Sequence, residues 1–407
     1  MPLNFDWTGR NELDRVARIR WQCYYSRGDA FESVKRRSDS GRFRDGDVCI
    51  ASDAGQDVGT ATALSMHIHV RGRRLACQGV AWVGTAKSHR RRAANEKGVA
   101  SQVMEQLLLK ARERGEVASA LMPFRVSYYE HFGFGLAERQ NVWTIPLSIL
   151  PGIADARWRF GSAADKPAML ACRARQSLTG LCDVETDERA LDEWFAQLEP
   201  DTQLFVDDRD GRIVAYTWIR TVTENERGIA QTVQPSWESH DAFRSVMSLL
   251  GSMRDQYAFA RIVLPVDWPV NWLLKERQVP HRPVEHPSAA CRTISRMQIR
   301  VLDHVKFLQG QKIIRPVNAS VTVGVRECEG HCSTFSLDLS SGTIEAKSST
   351  ATPDLELEGV TWSAIASGDL RASTAAMMGL IDVKTPASVL ALDVLAEGQA
   401  PFCYEYF

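Results

Sequence analysis

The sequence of 407 residues lacks an excess of charge of either sign, because 49 Lys and Arg side chains stand against 50 Asp and Glu side chains. Proteins that coat a phosphate backbone are usually clearly basic, so this balance argues against nucleic-acid binding. The sequence also lacks a run of roughly 20 apolar residues, which a membrane-spanning helix requires, and it shows no signal-peptide pattern. We therefore predict a cytoplasmic protein that neither binds nucleic acid nor spans a membrane.

Cysteine spacing of the kind found in a disulfide framework is also missing, because the nine cysteines are scattered and odd in number. Such usage is typical of a reducing compartment. The segment Cys328–Cys332, which also contains His331, resembles half of a zinc site, but no second pair of ligands follows at the required spacing. His67 and His69 lie two apart on a predicted strand and are interpreted as ordinary strand residues. We predict no bound metal.

What the sequence does contain is an alternation of helical and strand patterns over three blocks. Residues 1–150 alternate strands with helices, and a break at Pro151-Gly152 begins a second block, residues 151–290, that repeats the scheme weakly. Residues 291–407 carry short strands followed by helices. A chain of this length exceeds one ordinary hydrophobic core. The order of elements predicts an α/β (α+β) fold with mixed sheets flanked by helices.

A strand-to-helix junction in the first block has the pattern of a phosphate-binding site. It consists of a strand end, two arginines and the start of a helix: Val83, Gly84, Thr85, Arg91, Arg92, Gly98, Val99, Ala100 and Ser101. A helix N-terminus offers unpaired N–H groups and partial positive charge, small residues admit a pyrophosphate, and arginines add charge-assisted contacts. A solvated basic turn before a helix has the same composition, so the junction alone does not decide.

Two further patterns make the junction more specific. His89–Arg92 reads HRRR, and Tyr129–Gly135 reads YEHFGFG. With the weakly repeated second block and the third block, they resemble the Eis-like (enhanced intracellular survival) branch of the GCN5-related N-acetyltransferases (GNAT), whose acetyl-CoA signature is R/Q-x-x-G-x-G/A. The resemblance covers essentially the whole chain. It implies a catalytic GNAT domain over 1–150, a degenerate GNAT-like domain over 151–290, and a sterol-carrier-like domain over 291–407 that delivers the C-terminus.

One departure concerns the glycine of the signature. In the family it follows the arginines directly, whereas here residues 93–97 intervene before Gly98. Interpreted as an insertion, this segment leaves Gly98 at the start of the helix. Alternatively, Ala93 takes the glycine position and the helix begins early. We favour the insertion because Gly98-Val99-Ala100 keeps the small-residue pattern.

The resemblance implies an acetyl-CoA-dependent N-acetyltransferase. The acceptor would be a small-molecule or peptide amine, such as an aminoglycoside, a polyamine or a lysine side chain. The resemblance further implies that Tyr129 acts as general acid toward the departing thiolate and that the C-terminal carboxylate of Phe407 acts as general base. Glu405 is a weaker candidate for attracting a cationic amine. Without the resemblance, Tyr129 would be a packed aromatic residue and the apolar chain end would be edge packing.

The second block carries Glu238 and Asp241 where a phosphate would need cations, so we predict no second active site there. The resemblance also implies a homo-oligomer, with six copies as one option, and Trp237, Trp268 and Trp272 are candidate interface residues. Core packing of these tryptophans is the alternative. A different class of function also remains open at this point, namely a non-catalytic lipid- or CoA-binding protein that acts through the sterol-carrier-like domain.

Overall fold

The computed structural model describes residues 3–25, 30–90, 97–151, 157–224 and 227–407. The elements of the first part of the chain are β1 (Asn4–Thr8), α1 (Leu13–Tyr24), α2 (Ala30–Asp39), β2 (Val48–Asp53), β3 (Gln56–Val70), β4 (Arg73–Thr85), α3 (Val99–Glu113), β5 (Ala118–Leu121), α4 (Val126–Glu130), β6 (Gly135–Leu136) and β7 (Arg139–Pro146). Those of the middle part are β8 (Trp158–Phe160), α5 (Lys166–Ser177), β9 (Asp183–Val184), α6 (Glu188–Ala196), β10 (Thr202–Arg209), β11 (Arg212–Glu224), β12 (Arg227–Trp237), α7 (His240–Ser252), β13 (Phe259–Pro265) and β14 (Ala290–Ser295). Those of the last part are β15 (Gln298–Val301), α8 (His304–Leu308), β16 (Ser320–Arg326), β17 (Cys332–Asp338), β18 (Glu345–Ser348), β19 (Leu355–Glu358), α9 (Gly359–Ser367), α10 (Ala372–Met377), β20 (Ile381–Val383) and α11 (Pro386–Leu392).

Helix α3 shows how a sequence pattern builds the first layer. Val99, Val103, Leu107 and Ala111 recur every four residues, and their side chains are almost completely buried. This apolar stripe packs on β3 and β4, since residues four apart share one face of a helix. Gly115 follows the helix with a φ of +71°, a left-handed conformation that glycine adopts without strain.

The first sheet has the order β1-β2-β3-β4-β5-β15-β6, with β9 added beside β3. Strands β4 and β5 are parallel, whereas β3 and β4 are antiparallel. Helices cover both faces of this sheet. Cys49 and Ala51 of β2 pack in the cluster that contains α3, while Val48 and Ile50 pack in the cluster that contains α1. Because successive side chains of a strand point to opposite faces, α1 and α3 lie on opposite sides of the sheet.

The second sheet has the order β14-β7-β13-β12-β11-β10-β8, and the third has the order β18-β17-β16-β19-β20. Strands are exchanged between the parts of the chain. Strand β7 precedes position 150 but lies in the second sheet, and β15 follows position 291 but lies in the first sheet. The division of the chain at positions 150 and 290 remains a prediction. The sheets do not follow it strictly, because β7 and β15 each pair in the sheet of another part of the chain.

The last part of the chain packs on the first sheet through one continuous apolar cluster. Ile68 and Leu75 of the first sheet belong to the same cluster as Val323, Leu357 and Trp362 of the last part. Burial of this shared surface holds the two parts together. The predicted α/β (α+β) architecture with mixed sheets and flanking helices is confirmed.

The tryptophans proposed as interface residues fall into two groups. Trp237 is 4% exposed and packs against Phe243, with ring centroids 5.0 Å apart, and against Trp268, at 5.8 Å. Trp237 is therefore a core residue, which was the alternative. Trp272 is 64% exposed and lies under the Arg277 guanidinium. The oligomeric state stays a prediction; Trp272 is exposed, whereas Trp268 is half-buried against the core cluster that contains Trp237.

Candidate active site

The N-terminus of α3 is open. Its N-cap residue, Gly98, has an extended backbone with φ −61° and ψ 154°, and no side chain caps the helix. The N–H groups of Val99, Ala100 and Ser101 therefore have no acceptor within the helix and carry its partial positive charge. A Cβ placed on Gly98 would meet only Ser101 Oγ among the described atoms around it, at 4.0 Å. The described residues therefore leave this helix start without a side-chain cap.

The first basic residues after β4 bind the end of α1. Lys87 Nζ donates to the Tyr25 carbonyl at 2.6 Å, and Arg90 Nη2 donates to the Cys23 carbonyl at 2.9 Å. Both cations lie where the unpaired carbonyls of a helix C-terminus favour them. Arg91 and Arg92, together with residues 93–96, lie outside the described residues. Their contact with a phosphate and the insertion before Gly98 therefore stay predictions.

Strand β4 carries a bulge close to this junction. The register of β3 and β4 shifts between Thr60 and Thr62. Trp82 and Val83 of β4 stand where β3 supplies only Ala61, and Trp82 has a φ of +54°. A bulge leaves backbone groups without ladder partners and bends the strand. The pairing of β4 with β5 ends just before the bulge, so the disrupted backbone lies where the parallel neighbour stops.

Gly84 is required by helix packing. A Cβ at this position would lie 2.7 Å from Cys23 Cβ and 3.0 Å from Tyr24 Cε2, both on α1. A glycine at position 59 acts similarly for α3, because a Cβ there would lie 2.4 Å from Val99 Cγ1. The sequence interpretation assigned Gly84 to the approach of a pyrophosphate. The structure shows a steric reason for this glycine that requires no ligand.

A cavity of about 440 Å³ lies beside the bulge, within the size range of small-molecule pockets. Strands β3 and β4 and helices α1 and α6 contribute to its wall. Eight residues of its lining are aromatic: Tyr24, Phe43, Trp82, Phe124, Tyr129, Trp194, Tyr406 and Phe407. The structure thus brings the two predicted catalytic residues, Tyr129 and Phe407, to the same cavity, and Val83 of the predicted cofactor site lines it as well.

Tyr129 is held rigidly by neighbouring rings. Its ring lies 5.0 Å from that of Tyr128, 5.7 Å from that of Phe124 and 6.2 Å from that of Phe134, measured between centroids. Among the described residues its hydroxyl has no hydrogen-bond partner. Burial raises the pKa of Tyr129 well above its ordinary value, because the charged phenolate is poorly solvated there. The phenol therefore keeps its proton at neutral pH.

Backbone groups of the last residues form hydrogen bonds with side chains from distant parts of the chain. Cys403 N donates to Glu138 Oε1 at 2.9 Å, and Tyr404 N donates to Asp183 Oδ1 at 3.0 Å. Arg42 Nη2 donates to the Tyr406 carbonyl at 3.0 Å. These contacts fix the direction in which the segment runs before it reaches the cavity.

Phe407 itself is seated against the first sheet. A Cβ placed on Gly79 of β4 would lie 3.2 Å from the Phe407 ring. The ring also packs with Met66 and Leu64 in a common apolar cluster. The Phe407 side chain therefore lies against the first sheet.

Glu405 serves as an anchor of this segment. Its side chain is 2% exposed and accepts hydrogen bonds from Arg42 Nη2 at 3.2 Å, from Trp194 Nε1 at 3.1 Å and from Thr186 Oγ1. A carboxylate with three protein donors and almost no solvent contact is unsuited to attracting an incoming amine. The hypothesis that Glu405 performs that task is therefore wrong on this geometry.

Three polar residues of the cavity were missed by the sequence interpretation. Arg20 stands in the apolar stripe of α1, and a charged residue at such a position is a signal that could have identified it. Glu193 lies on α6, and Arg42 Nε donates to Glu193 Oε2 at 2.7 Å. No local pattern could have placed Arg42 and Glu193 at the same cavity, because they come from different parts of the chain.

The structure also places the cysteines and histidines that the sequence analysis considered as metal ligands. In the described part of the chain, no group of three or more His, Cys, Asp or Glu side chains is placed to hold a metal ion. Cys328 and Cys332 are exposed free thiols at the turn before β17. His69 Nε2 shares a hydrogen bond of 2.7 Å with Glu185 Oε1.

Residues 8–137 match the acetyltransferase (GNAT) domain family. The chain contains a GNAT acetyltransferase domain. This domain includes the start of α3, the β4 bulge and Tyr129. Residues 305–404 match the sterol carrier protein domain family. The matched region ends just before Phe407.

Relatives and solved structures agree with these matches. An uncharacterized N-acetyltransferase from Streptomyces griseus is 33% identical over 116 residues, which cover 28% of this chain and 26% of the relative. The match therefore spans about a quarter of the length of that relative. A GCN5-related N-acetyltransferase from Anabaena variabilis (TM-score 0.83) and Eis1 from Mycobacterium abscessus (TM-score 0.80) each share 17% identity, with 100% of both chains covered.

Together these findings confirm the resemblance to Eis-like GNAT acetyltransferases in domain content and in fold. The two solved structures show that the likeness of fold extends over the whole chain. The sterol carrier domain follows the acetyltransferase domain in the predicted order. None of the described helices combines the length and the apolar character that crossing a bilayer requires.

Proposed function

We propose that the chain transfers the acetyl group of acetyl-CoA to a primary amine by direct attack of the amine. One observation carries this proposal: Tyr129 and Phe407 line a single cavity beside the β4 bulge, next to an uncapped helix N-terminus. The acceptor classes considered from the sequence are aminoglycosides, polyamines and lysine-like amines. The protein would act in the cytoplasm as a homo-oligomer.

The residues around the GNAT junction fit the co-substrate. The N–H groups of Val99, Ala100 and Ser101 would bind a pyrophosphate, with Arg91 and Arg92 adding charge. The strand end at positions 83–85 would line the path to the cavity. Acetyl-CoA supplies the acetyl group activated as a thioester.

Two groups of the chain would move the protons. An alkylammonium has a pKa near 10.4, so the amine must lose a proton before it can attack. The α-carboxylate of Phe407 would accept that proton, and Tyr129 would donate its phenolic proton to the departing sulfur. In this step a C–N bond forms and a C–S bond breaks. Because burial raises the pKa of Tyr129, the proton to be donated is present throughout the neutral range.

The sterol carrier domain would serve as the support of the C-terminal segment. Phe307, Phe335 and Trp362 are almost completely buried at its centre. The centre of this domain is thus filled by its own side chains, and the cavity of about 690 Å³ beside it is shared with residues of the other two parts of the chain, such as Arg139 and Asp267. The alternative of a lipid-binding protein without catalytic activity therefore has less support than the acetyltransferase.

The test is a thiol-release assay with acetyl-CoA and a panel of amines, applied to Tyr129→Phe and to Tyr128→Phe as its matched control. Tyr129→Phe should lose about 10²–10⁴-fold in turnover, while acetyl-CoA still raises its melting temperature. The Tyr128 hydroxyl interacts with Ser101 at the start of α3, and Tyr128 is not among the residues that line the cavity. Its removal should therefore leave turnover at saturating acetyl-CoA nearly unchanged. Absence of thiol release with every amine, or equal activity of both variants, would contradict the proposal.

A further inference from the structure

We propose that Arg20 binds an anionic group of the acceptor, so that the preferred acceptors are primary amines that also carry a carboxylate and an apolar or aromatic body. This inference rests on the proposed acetyltransferase function and narrows its substrate class. It departs from the purely cationic amines considered from the sequence.

Arg20 is a buried cation with unused hydrogen-bond donors. Its side chain is 1% exposed and lines the cavity. Nη1 donates to Ser38 Oγ at 3.1 Å, and Nη2 donates to Thr62 Oγ1 at 3.0 Å. Nε has no partner among the described residues. A guanidinium has five N–H donors, so these two bonds leave most of the donors of Arg20 unused. Both acceptors are hydroxyl groups, which carry no charge.

Arg20 also differs from the other arginine of the cavity in its counter-ions. Arg42 pairs with Glu193 at 2.7 Å and with Glu405 at 3.2 Å. No described carboxylate lies within 4 Å of Arg20. Glu193 attracts the guanidinium only at longer range, and burial disfavours the charge by more than this attraction offsets, so the charge of Arg20 is only partly compensated. An anionic ligand in the cavity would supply the missing counter-charge.

The surroundings keep Arg20 charged and correctly oriented. Its guanidinium carbon lies 4.7 Å from the ring centroid of Phe43 and 4.7 Å from that of Trp82, and such rings attract cations. Burial lowers the pKa of Arg20 to about 10, which still leaves it protonated at neutral pH. A planar cation held between two rings is prepared to bind a carboxylate in a fixed orientation.

The position of Arg20 relative to the predicted base fits a compact amino acid. Arg20 bonds Thr62 of β3, whereas Phe407 packs where Leu64 of β3 faces Gly79 of β4. Two strand positions correspond to roughly 6.6 Å. An acceptor whose carboxylate pairs with Arg20 would therefore place its body beside the Phe407 ring, and a compact amino acid matches this spacing. The aromatic lining would accommodate its side chain.

The experiment compares matched acceptors that differ only in the anion. Phenylalanine, its amide and phenethylamine, and likewise tryptophan and tryptamine, are assayed by thiol release with acetyl-CoA. For the wild type, kcat/KM for the acid should exceed that for the neutral analogues by about 10- to 100-fold, as expected for charge-assisted hydrogen bonds. Arg20→Gln should lower kcat/KM for the acid toward that for the amide, so that the ratio of the two values falls to about one. Equal rates for acid and amide in the wild type, or a preference that survives in Arg20→Gln, would overturn the inference.

A binding measurement separates this inference from the proposed activity. Phenylalanine should raise the melting temperature of the wild type more than phenethylamine does, and it should lose this advantage with Arg20→Gln, whether or not any acetyl transfer occurs. Arg20→Met, whose unbranched side chain fits between the two rings, replaces Arg20→Gln if the latter does not fold. If polyamines and phenethylamine also release no thiol, the acetyltransferase proposal fails, and the binding comparison still decides the role of Arg20. Equal stabilisation by both ligands would exclude an anion site at Arg20.

Discussion

The first and second sheets of this molecule share one local architecture. Strand β4 has a bulge in which Trp82 has a φ of +54°, and β12 has a bulge in which Gln234 has a φ of +46°. In both sheets the bulged strand pairs with a parallel neighbour and leads into a helix, α3 or α7. The comparison shows that a common backbone plan supports different tasks.

The helix starts differ in their capping. No side chain caps α3 at Gly98, whereas Ser239 Oγ accepts a hydrogen bond from Ala242 N at 3.2 Å at the start of α7. Asp241 and Glu238, the acidic residues of that junction, pair with arginines at 2.7 Å and 2.9 Å. A capped, acidic helix start offers little to a pyrophosphate. The absence of a second active site stays a prediction.

The space beside the two bulges is also used differently. In the second sheet the C-terminal segment occupies it. With its amide oxygen turned toward the Tyr406 N–H, Gln234 accepts from that group at 3.0 Å, and its amide nitrogen donates to the Tyr404 carbonyl. The Tyr404 ring packs against Trp237 at 5.3 Å. Residues of the second sheet thus clamp the C-terminal segment, and the end of this segment reaches the cavity beside the first sheet.

The largest effect should come from changing the end of the clamped segment. A residue appended after Phe407 would convert its carboxylate to an amide, and deletion of Phe407 would withdraw the carboxylate by up to ~3.5 Å. Both variants should lose about 10²–10⁴-fold in turnover while acetyl-CoA still raises the melting temperature. Turnover and melting temperature are measured on the same preparations. Full activity with an appended residue would refute the carboxylate as base.

The clamp itself is tested by Glu405→Ala. The variant loses the acceptor of Trp194 Nε1 and Thr186 Oγ1 and one partner of Arg42, so we expect a loss of about 1–3 kcal/mol in unfolding free energy. Turnover should fall by about 10-fold or more, since the segment no longer directs Phe407 into the cavity. Urea unfolding and thiol release give the two values. Lower stability with unchanged turnover would show that the segment does not position the catalytic group.

The difference between the helix starts is tested by Arg91→Ala combined with Arg92→Ala. We expect acetyl-CoA binding to weaken by about 1–3 kcal/mol, because charge-assisted contacts to phosphate are lost. The matched control is Arg209→Ala, which removes a cation from the start of α7 and should leave binding unchanged. Calorimetric titration measures both. An equal affinity in the double variant and the control would mean that the arginines do not bind the co-substrate.

The smallest effects distinguish two glycines of the junction. Gly84→Ala would place a Cβ 2.7 Å from Cys23 Cβ, and such overpacking costs typically 1–3 kcal/mol in stability. Gly98→Ala has open space and should change the unfolding free energy by less. If Gly98 matters only for the approach of a pyrophosphate, its replacement lowers acetyl-CoA affinity at nearly constant stability. A stable Gly84→Ala variant would contradict the packing role found for that residue.

Much of the first part of the fold could be predicted because its signals are local. The four-residue recurrence from Val99 to Ala111 defined α3, and Gly98 and Gly115 marked its ends. The presence of Tyr129 and Phe407 at one site was predicted only through a family resemblance. Glu405 was misinterpreted because its partners, Arg42 and Trp194, are far away in sequence.

By itself, the sequence determined the order of helices and strands, the open helix start at Gly98 and the apolar character of the last residues. These properties depend on helical periodicity, backbone freedom and side-chain type, which neighbouring residues set. Only the tertiary structure decided that Arg20 is a buried cation with no carboxylate of the described residues within 4 Å and that Glu405 is an anchor. Burial and ion pairing depend on which distant segments pack together. Here the exchange of strands between the sheets brings those segments into contact.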